Sequence, residues 1–387
     1  MQRSEDRILT THTGSLPRSA KLEDLLIRKE HGESVAASEL DRAAGADVER
    51  VVGEQIDVGV DVINDGEQPR VGFQTYVGQR MKGFGGASSR PAFADWVNYP
   101  DYGELWNRRG MVTGKVFDAP QAVAEVEYVD LSEAEAECDL FLRVSDARQG
   151  RYRDRFMTAA SPGIVTTTLL NGYYDSHESY VQAVARELRK EYELIHSKGL
   201  LLQLDCPDLA MERVGLYRQD PLSRFQEVVE THIDAINQAV QNIPPEDIRL
   251  HVCWGNWDGP HDSDVALEDI LPILYRARVG ALSLELANPR HYHEYKAFEK
   301  HPLPDSMILI PGVVDVKTNF VEHPEVVAER IVRAAQAVGD PSRVIAGTDC
   351  GFGTFAGWTL VAPSVAWAKL RTLREGADLA SRRLWGS

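Results

Sequence analysis

The sequence predicts an α/β fold, a single (β/α)8 TIM barrel interrupted by a long excursion between its second and third strands. Two observations carry the prediction. Eight short runs rich in Val, Ile and Leu, at 7–13, 58–64, 156–160, 200–205, 248–254, 281–286, 307–314 and 344–349, are nearly continuous in apolar residues. Such runs mark parallel strands buried on both faces. Longer amphipathic stretches lie between most of them, and eight alternations of this kind close a barrel.

Taken in order, the first run ends in His12-Thr13-Gly14-Ser15. Apolar residues at i, i+3 and i+4 over 38–58 predict a helix feeding the second strand, which ends in Asp65-Gly66-Glu67. The next segment, 66–155, is far too long for one crossover. It holds a loop-like GFGGASSRP, then WVNYPDYGELW, then the alternating GKVFDAPQAVAEVEYVDL. Residues 72–155 are therefore expected to form an inserted α+β excursion, with two or more antiparallel strands and a helix near 132–147, inside one domain spanning 1–387. Its aromatics Phe84, Trp96, Tyr99, Tyr102 and Trp106 either line a ligand pocket or form a satellite core. After the third strand the rhythm is regular, with helical patterns at 177–197, 223–241, 324–338 and 363–376. Ser176 precedes His177-Glu178-Ser179 as an N-cap with acid in the first turn.

The balance of 42 Lys+Arg against 59 Asp+Glu, a net charge of −17, argues against a nucleic-acid partner. No run approaches ~18 apolar residues, so no membrane span is expected. The polar start MQRSEDRILT lacks an apolar signal core, which makes the cytoplasm the expected location. Four cysteines in so long a chain do not make a disulfide framework, and a thiol or metal role fits them better. Homo-oligomerisation is left open.

Barrel enzymes keep their chemistry at the C-terminal ends of the strands. Those ends collect Asp205-Cys206, His251-Val252-Cys253, Glu285, Asp315-Val316-Lys317 and Asp349-Cys350. His251 and Cys253 are two residues apart on a strand and so share a face. With Cys350 and Glu285 at neighbouring strand ends they make a four-donor set of the kind zinc prefers. The plainer reading of each is a satisfied polar histidine or a small buried cysteine. A purely structural zinc is usually closed by local Cys-x-x-Cys knuckles, whereas these donors come from three separate loops. Two thiolates and a carboxylate make the site anionic, poor for hydrolysis and suited to holding a substrate thiol as thiolate. Cys206 is a candidate neighbour; Cys138 lies on an expected helix and reads as structural.

At these residues the chain resembles the catalytic C-terminal barrel of cobalamin-independent methionine synthase, in a stand-alone form. TGSLPR near the start, DGEQPR after the second strand, LQLDCPDL, HVC, the strand-six glutamate and TDCG carry the resemblance over nearly the whole chain. It implies a Zn2+ cofactor on His251, Cys253, Glu285 and Cys350, with small-molecule partners: homocysteine as thiol and methyltetrahydrofolate as alkyl donor. It implies that Ser15 belongs to the loop holding the amino-acid end of the thiol, and that Glu67 and Asp205 pair with its ammonium group. Read without it, Glu67 and Asp205 are a loop cap and a helix-start cap. Asp205 and Lys317 stand as the candidate catalytic residues. Lys317 occupies the turn where the family has a histidine, and a lowered pKa would let it act as an acid; otherwise it binds an anion or is simply solvated.

Three further departures are visible. Gly353-Thr354-Phe355 replaces a basic run, Trp254-Gly255-Asn256-Trp257 follows Cys253, and Cys206 replaces a glutamate. They leave room for another thiol and a non-folate donor, as in the epoxyalkane:coenzyme M transferases. More distant alternatives are a metal-free lyase similar in fold to uroporphyrinogen decarboxylase, and a binding protein without turnover.

Overall fold

The apolar runs become strands whose ladders wrap into a barrel. In the computed structural model, which describes residues 1–109 and 119–386, these are β1 (Leu9–Thr10), β2 (Val62–Ile63), β3 (Met81–Gly85), β4 (Gln121–Tyr128) and β5 (Asp154–Ala160). They continue as β6 (Leu201–Asp205), β7 (Ile248–Val252), β8 (Ala281–Glu285), β9 (Ile308–Val314) and β10 (Ile345–Thr348). Eight of them form a sheet in the order β1-β10-β9-β8-β7-β6-β5-β2, with every neighbouring pair parallel. The edges β1 and β2 meet through Asp61, whose N–H donates to Thr10 O at 3.0 Å, and through Thr11 Oγ1, which donates to Val62 O at 3.0 Å. The Asp61 carboxylate also accepts from Thr10 N–H, Arg7 and Arg374. The fold is the expected (β/α)8 barrel.

β1 and β2 are shorter than their apolar runs because side chains take over their ladder bonds. Thr13 N–H donates to Thr348 Oγ1 at 3.2 Å, and Asn64 N–H to Gln55 Oε1 at 3.0 Å. Each of these backbone groups is still satisfied, but by a side chain and not by a ladder carbonyl.

The long helices His177–Ser197, Leu222–Ala239, Pro324–Val338 and Pro363–Trp385 ring the barrel where the periodicity placed them. Ser176 caps the first, its Oγ accepting Ser179 N–H at 3.0 Å. The segment after β2 contains an antiparallel pair, β3 with β4. The alternating stretch that begins at Gly114 lies in part outside the described residues. Helix Ser132–Asp146 packs between helices Ala37–Asp57 and His177–Ser197, and so fills a place in the barrel's own outer ring. A buried charge network ties this region down. Arg70 and Arg80 both reach Glu137, at 3.0 and 2.5 Å, and Arg80 also reaches Glu191 at 3.3 Å. Among the described residues no helix is long and apolar enough to cross a membrane.

Register sets the floor of the site. Gln203 pairs with Arg249 and Asp205 with His251 across β6 and β7, so all four project inward in two layers. Arg249, fully enclosed, donates to Thr11 Oγ1 and His12 O at 3.1 Å each and lies over the Phe156 ring at 4.0 Å. Burial draws its pKa down to about 9.

Candidate metal centre

At the top of β7, His251 turns Nδ1 towards Asp205 Oδ1 at 3.0 Å. A carboxylate there keeps the proton on Nδ1 and leaves the lone pair on Nε2. Nε2 is buried and has no hydrogen-bond partner among the described residues, a costly state for a polar atom unless something binds it. The ligating atoms of His251, Cys253 and Cys350 lie within 4.8 Å of one another, all buried. The two sulfurs are 3.7 Å apart, far beyond a disulfide bond and close to the about 3.8 Å that a tetrahedral zinc with bonds of about 2.3 Å would impose. The chemistry of the donors and their spacing fit a divalent metal.

Glu285 stands against this cluster and not within it. Its Oε1 lies 3.1 Å from Cys253 Sγ and accepts Trp254 N–H at 3.0 Å. Its Oε2 accepts from Lys317 Nζ and from Asn288 Nδ2, each at 2.8 Å. Burial pushes the carboxyl up, but Lys317 and His291 outweigh it and hold Glu285 at about 2.

A cavity of about 680 Å³ opens over these residues. Its deep end is lined by Ser15, Glu67, Asp205, His251, Cys253 and Cys350; its outer end by Phe93, Trp96, Trp106, Trp257 and Trp358. Glu67 has φ 55° and is folded back beside Gly14, where a Cβ would lie 2.6 Å from Glu67 Oε1. Glu67 Oε2 is buried without a partner among the described residues. Burial and the nearby Asp205 push its carboxyl up to about 8, against Arg70 and Arg18. Arg18 donates to Gly353 O, Glu67 O and Arg70 O, stitching three rim loops together. The arginine of TGSLPR is thus a scaffold for the site, a role the sequence alone does not assign.

The family model for the catalytic domain of the cobalamin-independent synthases matches residues 8–138 and 156–372. The chain belongs to this family. Methionine synthase of Sulfolobus acidocaldarius is 25% identical over 97% of this chain and 93% of its own length. The 2-hydroxypropyl-CoM lyase of Xanthobacter autotrophicus is 31% identical over 39% of this chain, and that match spans 45% of the lyase. A B12-independent methionine synthase from a Shewanella species, solved with selenomethionine, superposes with a TM-score of 0.73 at 20% identity, covering 98% of this chain and all of that one. This last likeness bears on the fold.

Against the family background the sequence-derived residues sort themselves. His251, Cys253 and Cys350 converge, and Glu285 adjoins them. Asp205 touches His251 and also accepts from Gln203 Nε2 at 2.8 Å. Ser15 packs so closely on Gly351 that a Cβ there would lie 2.0 Å from Ser15 Oγ. Lys317 requires a correction. It is neither solvated nor lowered in pKa: it is buried in an ion pair with Glu285. Burial alone would lower its pKa, but Glu285 and Cys253 reverse the direction and raise it. A lysine held this way is a poor proton donor. Cys206 lies outside the metal cluster, its S–H turned to Leu204 O, and burial drives its pKa well up. Phe93 and Gln74 also line the cavity, and sequence reading did not single them out; Asn256 lines it too and entered the sequence reading only as part of a departure from the family pattern. The glycines flanking Trp257 in Trp254-Gly255-Asn256-Trp257-Asp258-Gly259 were the available signal.

Proposed function

We propose that this chain is a zinc-dependent transferase that moves a methyl or other alkyl group onto the sulfur of a small amino-bearing thiol. Homocysteine with a methyltetrahydrofolate donor is the family pairing. The observation that carries the reading is the buried, unpartnered Nε2 of His251 facing two cysteine sulfurs 3.7 Å apart. His251, Cys253, Cys350 and Glu285 would hold the ion. Zinc, when bound there, supplies a site at which a substrate thiol loses its proton and stays nucleophilic.

The rest falls to the chain's own groups. Asp205 fixes the tautomer of His251. Ser15, Glu67 and Asp205 surround the amino-acid end of the thiol and orient its sulfur towards the cavity. The sulfur lone pair then attacks the alkyl carbon; the bond from that carbon to its donor breaks, and its electron pair leaves with the donor. Orientation of two bound reactants supplies most of the rate. The unit 1–387 works as one barrel, with the excursion 72–155 contributing Phe93, Trp96 and Trp106 to the aromatic wall. The partial match to a CoM lyase raises 2-mercaptoethanesulfonate as an acceptor, but the cavity end lined by the carboxyls of Glu67 and Asp205 offers its sulfonate no Lys or Arg among the described lining residues, which favours an ammonium-bearing thiol.

Cobalt-substituted protein tests the reading. Homocysteine is expected to change the cobalt absorption as its sulfur binds. Unchanged spectra with every thiol tried, together with no stoichiometric metal in the purified protein, would overturn it.

Glu67 adds a pH signature. With its carboxyl at about 8 in the free protein, an arriving ammonium must displace a proton at pH 7. The affinity for homocysteine is therefore expected to rise between pH 6 and 8, and Glu67→Gln to release about one proton fewer on binding. Calorimetry in buffers of differing ionisation enthalpy measures this. Equal proton release by variant and parent would remove Glu67 from the ammonium site.

A further inference from the structure

The two cysteines of the cluster arrive on strands that are not neighbours. β8 and β9 separate β7 from β10 in the sheet, so no ladder sets the 3.7 Å between their sulfurs. The Cys350 loop is anchored on two other sides. Towards β8, the Asp349 carboxylate accepts N–H groups from Leu286, Ala287 and Asn288 at 3.0, 2.8 and 2.8 Å. Towards β1, Phe352 N–H donates to Ser15 O at 2.8 Å, and Arg18 donates to Gly353 O at 2.6 Å. Neither anchor reaches the Cys253 loop.

One side chain crosses that gap. Asn256, a few residues past Cys253, donates from Nδ2 to Gly351 O at 2.9 Å and to Thr354 Oγ1 at 2.6 Å. A carbonyl oxygen only accepts, so the amide has to turn its NH2 group this way. The backbone that aims it is specific. Gly255 has φ 113°, a conformation in which a side chain is strained, and a Cβ there would strike the Trp257 ring. The same turn brings Gly255 N–H to Cys253 Sγ at 3.2 Å. The segments that meet here, 254–257 and 353–355, are two in which the sequence departs from the family pattern.

We propose that Asn256 is a positioning residue for the metal centre: by tying Gly351 and Thr354 to the Cys253 loop, it holds the two sulfurs at the spacing that one ion requires. This rests on the thiol-alkylation reading and names what preorganises its metal site.

Competition against a zinc chelator is expected to show Asn256→Ala weaker for zinc by about tenfold or more, the usual scale for a lost partner of a metal's ligands. Thr354→Val removes one of the two acceptors and should weaken zinc by about threefold; Thr354→Ser keeps the hydroxyl and should match the parent. Added to Asn256→Ala, Thr354→Val should cost nothing further, because its donor is already gone. Cobalt-saturated protein gives a readout that a loss of stability alone would not move. The visible bands of Asn256→Ala are expected to shift and broaden as the two sulfurs spread. In the metal-free protein, phenylarsine oxide bonds two thiols at once with loss of water, and Asn256→Ala should capture it about tenfold more weakly than the parent. Undiminished zinc affinity in Asn256→Ala would overturn the proposal, as would an equal effect of Thr354→Val with and without the Asn256→Ala change. Should Asn256→Ala not fold, Thr354→Val against Thr354→Ser decides. A parent protein that binds neither zinc nor cobalt sinks the reading beneath. A parent that binds both, with arsenical capture unaltered in Asn256→Ala, sinks this inference alone.

Discussion

Cys350→Ser is expected to purify with little or no zinc and to lose thiol alkylation almost entirely. A structural zinc site is worth about 12 kcal/mol in total, so one of four donors accounts for roughly 3 kcal/mol, or more than 100-fold in metal affinity. The loss falls on Cys350 with particular force. It is the donor brought from the far end of the chain, and it lies 3.7 Å from Cys253 with no ladder bond between their loops to enforce that distance. Metal analysis and equilibrium dialysis against zinc would measure the effect. A variant that keeps one zinc per chain at undiminished affinity would remove Cys350 from the ligand set. Because the donors lie at the cavity's deep end and the barrel core beneath them is independent of the ion, Cys350→Ser should still fold, with the far-ultraviolet spectrum of the parent.

Lys317→Met should produce the largest change in stability, and in the metal-free protein only. Glu285 is fully buried, and its partner Lys317 Nζ is 2.8 Å away. Removing one member of a buried ion pair strands the other, at a cost of about 3–5 kcal/mol. The sign with pH follows from the carboxyl. Held at about 2 against the ordinary carboxyl value of 4.5, Glu285 contributes fully above the upper value and loses that contribution as pH falls towards the lower one. Denaturant unfolding in the presence of a chelator should show the variant weaker at pH 7, with the gap narrowing in acid. Added zinc should restore much of the loss, since a divalent cation beside Glu285 replaces the ammonium. Equal stability of variant and parent without metal would show that the pair does not hold Glu285.

The convergence of His251, Cys253 and Cys350, with Glu285 beside them, was legible because a parallel barrel turns sequence position into height. Reading only the ends of the apolar runs put His251, Cys253, Glu285 and Cys350 at one level, and the alternation rule put the first two on one face. The surroundings of Lys317 were not legible in this way. Its partner sits on the neighbouring strand, and nothing local to Val316-Lys317-Thr318 tells a solvated lysine from one packed on a carboxylate. The aromatic wall was half legible. Trp96 and Trp106 do face the cavity. Phe84, however, packs against the barrel core from β3, and Tyr99 is exposed, its Oη donating to Asp262. What assembles the wall is the meeting of Trp96 with Trp257, two segments far apart in sequence that no periodicity connects. The shortness of β1 and β2, both found within their expected runs, was not legible because Thr348 and Gln55 supply bonds that an apolar run cannot announce.

The closure between β1 and β2 has a consequence for the division of labour in the site. Elsewhere the hoop is laced by backbone ladders, with a register shift between β9 and β10; here it is fastened by Asp61, its arginines and a threonine. The cysteines, His251 and Glu285 sit above the laced arc from β7 to β10. Ser15 and Glu67 stand on either side of the fastening. Local opening starts where backbone lacing is thinnest, so the loops proposed to hold the substrate's amino end can yield and re-seat while the arc bearing the proposed metal ligands keeps its shape.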